Sequence, residues 1–66
     1  MKKADLIKLL QAIEDNDHAV AAIFSADGDK ETADGLLAEA AAYHNMIWLL
    51  TDEEYAAKVW KNYMED

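Results

Sequence analysis

The chain of 66 residues contains no cysteine, no proline and no arginine. Without cysteine it has neither disulfides nor a thiolate zinc site, two devices that commonly stabilise small domains. Without proline, and with glycine only at Gly28 and Gly35, few positions interrupt a helix. A domain of this size buries only about 60% of the surface of its unfolded chain. We therefore expect its stability to depend on good helix packing or on self-association.

The sequence also lacks a long apolar run and an excess of positive charge. No stretch reaches the roughly 20 apolar residues that span a bilayer. The apolar segment near the N-terminus is broken by Lys8 and Gln11, which does not fit a signal peptide. Fourteen acidic residues against six lysines give a net charge of -8, which repels the phosphates of nucleic acids. We expect a cytoplasmic protein that binds neither membranes nor nucleic acid directly.

What remains is a composition that favours helix throughout. Alanine, leucine, lysine and glutamate are frequent, and β-branched residues are few and never alternate. The one clear turn is the SADGD segment at 25–29, where Gly28 can take the positive φ that a helix end requires. The sequence predicts one all-α domain over residues 1–66. Its fold class is a small three-helix bundle, with helices at about 3–25, 30–50 and 52–64.

Capping residues mark the ends of the second and third helices. Asp29 and Thr32 are both candidates for the N-cap of the second helix. The third helix follows Thr51 and Glu54, which have the T-x-x-E form of a capping box. These signals predict that the third helix begins at Asp52.

The first helix carries an apolar face interrupted by one acid. Six apolar side chains recur at the spacing of three and four residues that predicts a core face: Leu6, Leu9, Leu10, Ile13, Val20 and Phe24. Asp17 falls in the middle of this face, where an unpaired carboxylate is costly to bury. The segment 14–17 therefore indicates an exposed stretch, a paired carboxylate or a break, and we favour one continuous helix.

The middle helix is apolar over about half of its circumference, which is more than one neighbouring helix can cover. One seam consists of Leu36, Ala40, Tyr43, Ile47 and Leu50. A second seam, about 100° further round, consists of Leu37, Ala41, His44 and Trp48. Two interpretations stay open. Either the third helix covers the second seam within one chain, or a second copy of the chain completes the bundle as a homodimer.

No pattern in the sequence indicates catalysis, a cofactor or a metal site. The acid-rich turn resembles a calcium loop only superficially, because Thr32 stands where the loop needs glycine and Ala38 where it needs glutamate. Ser25 lacks the context of an activated nucleophile. We expect a protein that is not an enzyme. A ligand pocket lined by Tyr43 and His44 at an oligomer interface is the weakest of the functional hypotheses.

The favoured hypothesis is a protein-protein interaction module, or a small inhibitor or regulator, that acts through an aromatic and acidic helical surface. Aromatic side chains and methionine are enriched at protein interfaces. The candidate contact residues of this kind are His44, Trp48, Trp60 and Met64.

The alternative hypothesis is an acidic inhibitor that mimics nucleic acid and binds a basic groove of a nucleic-acid-binding protein. A concentrated negative field steers association toward a positively charged partner. The candidate carboxylates are Glu14, Asp15, Asp17, Asp27, Asp29, Glu31 and Asp34.

Overall fold

The computed structural model describes residues 1–65, which form three α-helices and no strand. Helix α1 spans Lys3–Ala26, α2 spans Lys30–Thr51 and α3 spans Glu53–Met64. The predicted all-α, three-helix fold is confirmed, and each helix end lies within one residue of its predicted position. Helix α1 continues without a break through the acidic segment 14–17, as expected. Within the described residues, no helix has both the length and the apolarity to cross a membrane.

The turn between α1 and α2 is closed by glycine and capped by aspartate. Gly28 has φ of 85°, and the backbone N–H of Asp29 donates to the carbonyl of Phe24 over 2.9 Å. The Asp29 carboxylate accepts from the backbone N–H of Thr32 at 3.1 Å and from its hydroxyl at 2.7 Å. Asp29 is therefore the N-cap of α2, and Thr32 is its donor rather than the cap.

Helices α1 and α2 form an antiparallel hairpin. Glu14 near the middle of α1 reaches His44 in α2, and Leu6 and Leu50 line the same groove at the open end. Alanine supplies much of the seam, and such small side chains allow two helix backbones to approach closely. The buried residues among those described are Leu10, Asp17, Ala21, Ala33 and Ala40.

The apolar face predicted for α1 is a core face only in part. Of its six members only Leu10 is buried, and Leu9 is 47% exposed. The physical reason is that α1 packs against a single neighbour. Leu9 points about 100° away from Leu10 around the helix, beyond the reach of α2. The sequence shows which side chains are apolar but not whether a second neighbour covers them.

Helix α3 packs against α2 and makes no contact with α1 in the described part of the chain. Its predicted capping box is wrong. Thr51 is the last residue of α2, and its hydroxyl donates to the carbonyl of Ile47 at 2.9 Å. The N-cap is Asp52, whose carboxylate accepts from the backbone N–H of Tyr55 at 3.1 Å. A threonine hydroxyl can bond backward along its own helix, so α2 gains one residue and the next acid takes the cap.

The resulting molecule is flat and open. Its extents are 44 × 30 × 15 Å, so the molecule is much thinner in one direction than in the other two. Its radius of gyration is 14.6 Å, whereas a compact chain of this length has about 11 Å. Its accessible surface is 5224 Å², against about 4,200 Å² for a compact protein of this mass. Most globular domains consist of at least two packed layers, and this chain supplies one.

Candidate partner-binding surface

Four predicted contact residues lie on α2 and α3. Trp60 and Met64 stand about 140° and 180° around α3 from Tyr55, the residue through which α3 contacts Trp48. We call His44, Trp48, Trp60 and Met64 the aromatic surface. The ring of Trp48 stacks on Tyr55, with centroids 4.6 Å apart and planes inclined by 22°. The ring of His44 lies 6.2 Å from Trp48 at a tilt of 54°. Two of the four residues, His44 and Trp48, are therefore brought together by α2, and Tyr55 ties α3 to them.

All four side chains of the aromatic surface remain exposed. Trp60 is 57% and Met64 65% exposed, and Trp48 is half-exposed despite its stack on Tyr55. Leu37, one turn before Ala41 on the same seam of α2, is also exposed. Helix α3 thus covers only part of the second seam, because it touches α2 near its C-terminal end. Leu37 and Trp48 on α2, and Trp60 on α3, are thus left exposed to solvent.

Both histidines approach one glutamate at the edge of the hairpin. His44 Nδ1 lies 3.0 Å from Glu14 Oε2, and His18 Nε2 lies 4.0 Å from the same oxygen. The histidine side chains are more than half exposed, whereas Glu14 is largely covered. An exposed pair of this kind contributes only about 0.2–1 kcal/mol, and only when the histidine is protonated. Its main effect is to hold Glu14 within the hairpin.

The predicted acidic contact residues divide into two groups. The first group is exposed. It consists of Asp15 in the middle of α1 and of four residues at the turn end: Asp27, Asp29, Glu31 and Asp34. The hydroxyl and the backbone N–H of Thr32 both donate to Asp29 and lower its pKa. Glu14 and Asp17 form the second group and face the seam between α1 and α2, so they present little charge to a partner.

Asp17 is the one buried charged residue in the described range, at 5% exposure. Its Oδ2 is buried and has no hydrogen-bond partner among the described residues. Glu39 of α2 lies beside it. A hydrogen bond to the Asp17 carboxylate, and then the negative charge of that group, raise the pKa of Glu39. Asp17 is therefore neither exposed nor at a helix break, and the structure shows a buried carboxylate with one unpartnered oxygen, which is the costly arrangement that the sequence analysis described.

An aliphatic surface on the other side of the hairpin was missed by the sequence analysis. Met46 and Leu49 lie outside both predicted seams of α2 and are nearly half-exposed. Together with Leu6, Leu10 and Leu50 they line an open groove of about 300 Å³. The signal that could have revealed it is the presence of large apolar residues beyond the two seams.

A second open groove, of about 380 Å³, lies near the turn. His18, Ser25, Lys30 and Asp34 are among its lining residues, and Tyr43 and His44 are not. The described residues contain no group of three or more His, Cys, Asp or Glu side chains that could hold a metal ion.

Comparison with known proteins gives no relative for this chain. No protein-family model matches it, and no curated protein or solved structure is significantly similar to it.

Proposed function

We propose that this chain is a non-catalytic protein-interaction module, of the size of a small inhibitor or regulator, that binds another protein through the aromatic surface. The observation that carries the proposal is the exposure of two tryptophans and a methionine on a well-formed helical scaffold. These are the residue types that contribute most to binding when a partner desolvates them. A cytoplasmic location is part of the proposal and rests on composition alone.

The arrangement of α3 supports this proposal further. Trp60 and Met64 lie one turn apart on a helix that touches the rest of the chain only through α2. A partner helix or groove can approach both side chains without displacing any internal contact of α1. Trp48 lies on α2 and is held by its stack on Tyr55, so this part of the aromatic surface is ordered before binding. Rigid anchors reduce the entropy lost on association.

The test is a comparison of proteins retained from a lysate of the source organism by three immobilised chains. Wild type and Ile23→Ala should retain the same protein, and Trp60→Ala should lose it. Ile23 is the matched control, because it is equally exposed at 61% but lies on α1. Circular dichroism checks that all three chains are equally helical. Retention of the same proteins by wild type and Trp60→Ala would refute the proposal.

A second candidate function is mimicry of nucleic acid. The specific observation is that four exposed carboxylates stand within eight residues at the turn end, offset only by Lys30. Their field would attract a basic groove. The two candidates differ in their response to salt, because exposed charge pairs are screened within about 8 Å at physiological ionic strength and within about 3 Å at 1 M. Binding that survives 1 M salt favours the aromatic surface, and binding that is lost there favours mimicry.

A further inference from the structure

The aliphatic side of the hairpin forms a continuous surface that is separate from the aromatic surface. We call Leu6, Leu9, Ile13, Met46, Leu49 and Leu50 the leucine face. Around α2, Met46 and Leu49 lie about 100–160° from Trp48, and α3 packs on the Trp48 side. The leucine face is therefore not covered by α3, and Leu9, Met46 and Leu49 are exposed, whereas Leu6, Ile13 and Leu50 are partly buried in the hairpin. Its groove is lined only by aliphatic side chains and methionine.

The area that the chain leaves exposed matches what an obligate dimer buries. Two separate chains expose about 10,400 Å², whereas a compact particle of twice the mass exposes about 7,000 Å². Full compaction, which would also cover the aromatic surface, would bury up to about 3,400 Å², against the roughly 2,000–5,000 Å² typical of obligate homodimers. A dimer that covers the leucine face and leaves the aromatic surface free buries part of that area. A second flat hairpin also supplies the missing layer, because two such layers enclose a core as in a four-helix bundle.

The distribution of charge favours a second copy in one orientation. The open end of the hairpin carries Lys2, Lys3 and Lys8, which offset most of the charge of the four acids there: Asp5, Asp52, Glu53 and Glu54. The turn end carries four carboxylates against Lys30 alone. A parallel pair of hairpins would place both acidic turns side by side, where like charges repel. An antiparallel pair places each acidic turn beside the more nearly balanced open end of the other copy, with its three lysines. Both chains are negatively charged, but exposed charges that lie more than about 8 Å apart repel each other only weakly at physiological salt.

Small residues on α2 allow the second copy to approach closely. Gly35 and Ala42 lie seven residues apart and thus on nearly the same side of α2, about 20–60° from Met46. A Cβ atom added at Gly35 would meet nothing within 4 Å, so this part of the face is open space. Glu39, which neighbours the buried Asp17, lies on the same side of α2 as Met46.

We propose that a second copy of this chain packs on the leucine face in antiparallel orientation, giving a homodimer with a four-helix core made by α1 and α2 of both copies. This goes beyond the proposed function and does not depend on it, because it concerns a different surface. The dimer leaves the aromatic surface of each copy free, so that one particle would present two equivalent sites to its partner.

The first test is the mass of the purified chain by sedimentation equilibrium, from about 10 µM to about 500 µM. Wild type should have twice the mass of one chain, which is 7.4 kDa. Leu49→Lys should sediment as one chain. Its dimer dissociation constant should be at least about a hundredfold larger, since an unpaired lysine would be buried in the interface. Trp60→Lys is the matched control, because it places the same charge on the aromatic surface, and it should remain a dimer.

Four outcomes would overturn the proposal. They are a single-chain mass for wild type over the whole range, a mass above two chains, equal weakening by Leu49→Lys and Trp60→Lys, and a Leu49→Lys chain that stays dimeric. Met46→Glu is the second variant on the face. It decides the case if Leu49→Lys loses its helical circular dichroism, because Met46 is itself half-exposed and tolerates a polar end. A helical Met46→Glu chain that remains dimeric contradicts the proposal.

The second test measures orientation with one spin label per chain, which is simple because the chain has no cysteine. Asn16→Cys places the label near the middle of α1, and Ser25→Cys places it near the turn. In an antiparallel dimer the labels at Asn16→Cys lie close together, and those at Ser25→Cys lie about 30 Å apart at a rise of 1.5 Å per residue. Equal short distances at both positions would show a parallel dimer and overturn the proposed orientation.

Discussion

Replacing Asp17 with asparagine should stabilise the fold, although it alters a buried polar residue. Asp17 Oδ2 is buried without a partner, and leaving such a group unsatisfied costs about 1–3 kcal/mol. The asparagine carboxamide has nearly the same shape and carries two donors in place of that oxygen. The asparagine N–H can donate a hydrogen bond to the Glu39 carboxylate, whereas two carboxylates can hydrogen-bond to each other only if one of them is protonated. We expect the free energy of unfolding at pH 7 to rise by about 1–2 kcal/mol, since the exchange recovers only part of the cost.

The assay is urea and thermal unfolding followed by circular dichroism at one fixed chain concentration, because dimerisation would make stability depend on concentration. For a domain of this size, each kcal/mol raises the melting temperature by about 4–8 °C. Asp15→Asn is the matched control, since it removes the same charge from an exposed position of the same helix. Equal stabilisation by both variants would refute the reasoning, because the gain would then come from lower net charge alone.

The pH dependence of this gain follows from Glu39. The raised pKa means that the folded chain holds the Glu39 proton more tightly than the unfolded chain does. This contribution to stability is complete below the ordinary value of 4.5 and is lost as the pH rises through the raised pKa. The advantage of Asp17→Asn over wild type should therefore be largest near pH 7, should shrink as the pH falls through the raised pKa of Glu39, and should change no further from this cause below 4.5.

Four further substitutions and two comparison variants test the rest of the structure by the same unfolding assay. Glu39→Gln should mimic the protonated carboxyl and remove the loss of stability that occurs as the pH rises through the raised pKa of Glu39, and an unchanged pH profile would contradict the interaction with Asp17. Gly28→Ala should destabilise by about 1–2 kcal/mol because of its φ of 85°, whereas Gly35→Ala should be neutral or stabilising by up to about 1 kcal/mol in the interior of α2. Asp52→Ala should lower the free energy of unfolding by about 1 kcal/mol and reduce the helical signal as α3 frays. An equal or larger effect of Thr51→Ala would indicate that Thr51 caps α3 after all, as the capping-box prediction required. Trp48→Ala should lose about 0.5–1.5 kcal/mol from the stack on Tyr55, beyond the loss of buried area, and should release α3 to faster hydrogen exchange.

The helices and the turn could be predicted because their signals are local. Asp29 and Gly28 specify their own caps and backbone angles, and the neighbours that satisfy them lie within a few residues in sequence. The same local chemistry failed at Thr51, where two adjacent residues can both cap. The choice depends on whether α2 gains one more residue, which the back-bonded hydroxyl of Thr51 makes favourable.

The surfaces were harder to predict because periodicity shows which side of a helix is apolar but not what lies against it. The two seams of α2 were identified, and Trp48 was placed correctly beside His44. The position of α3 was not predictable, since its contact with Trp48 through Tyr55 depends on the angle at Asp52. Leu9, Met46 and Leu49 are exposed because this angle places α3 on the Trp48 side of α2. An α3 that folded back over α1 would cover a different side of the hairpin.

Small-angle X-ray scattering of the purified wild-type chain tests most directly whether these helices leave their apolar faces for other chains to cover. It gives the mass and the radius of gyration of the same particle in one measurement. The proposed dimer predicts a particle with the mass of two chains, in which the flat hairpins form two layers. A particle with the mass of one chain and a radius of gyration near 11 Å, well below the 14.6 Å of the open chain, would mean that the three helices cover both faces themselves, and it would contradict the account.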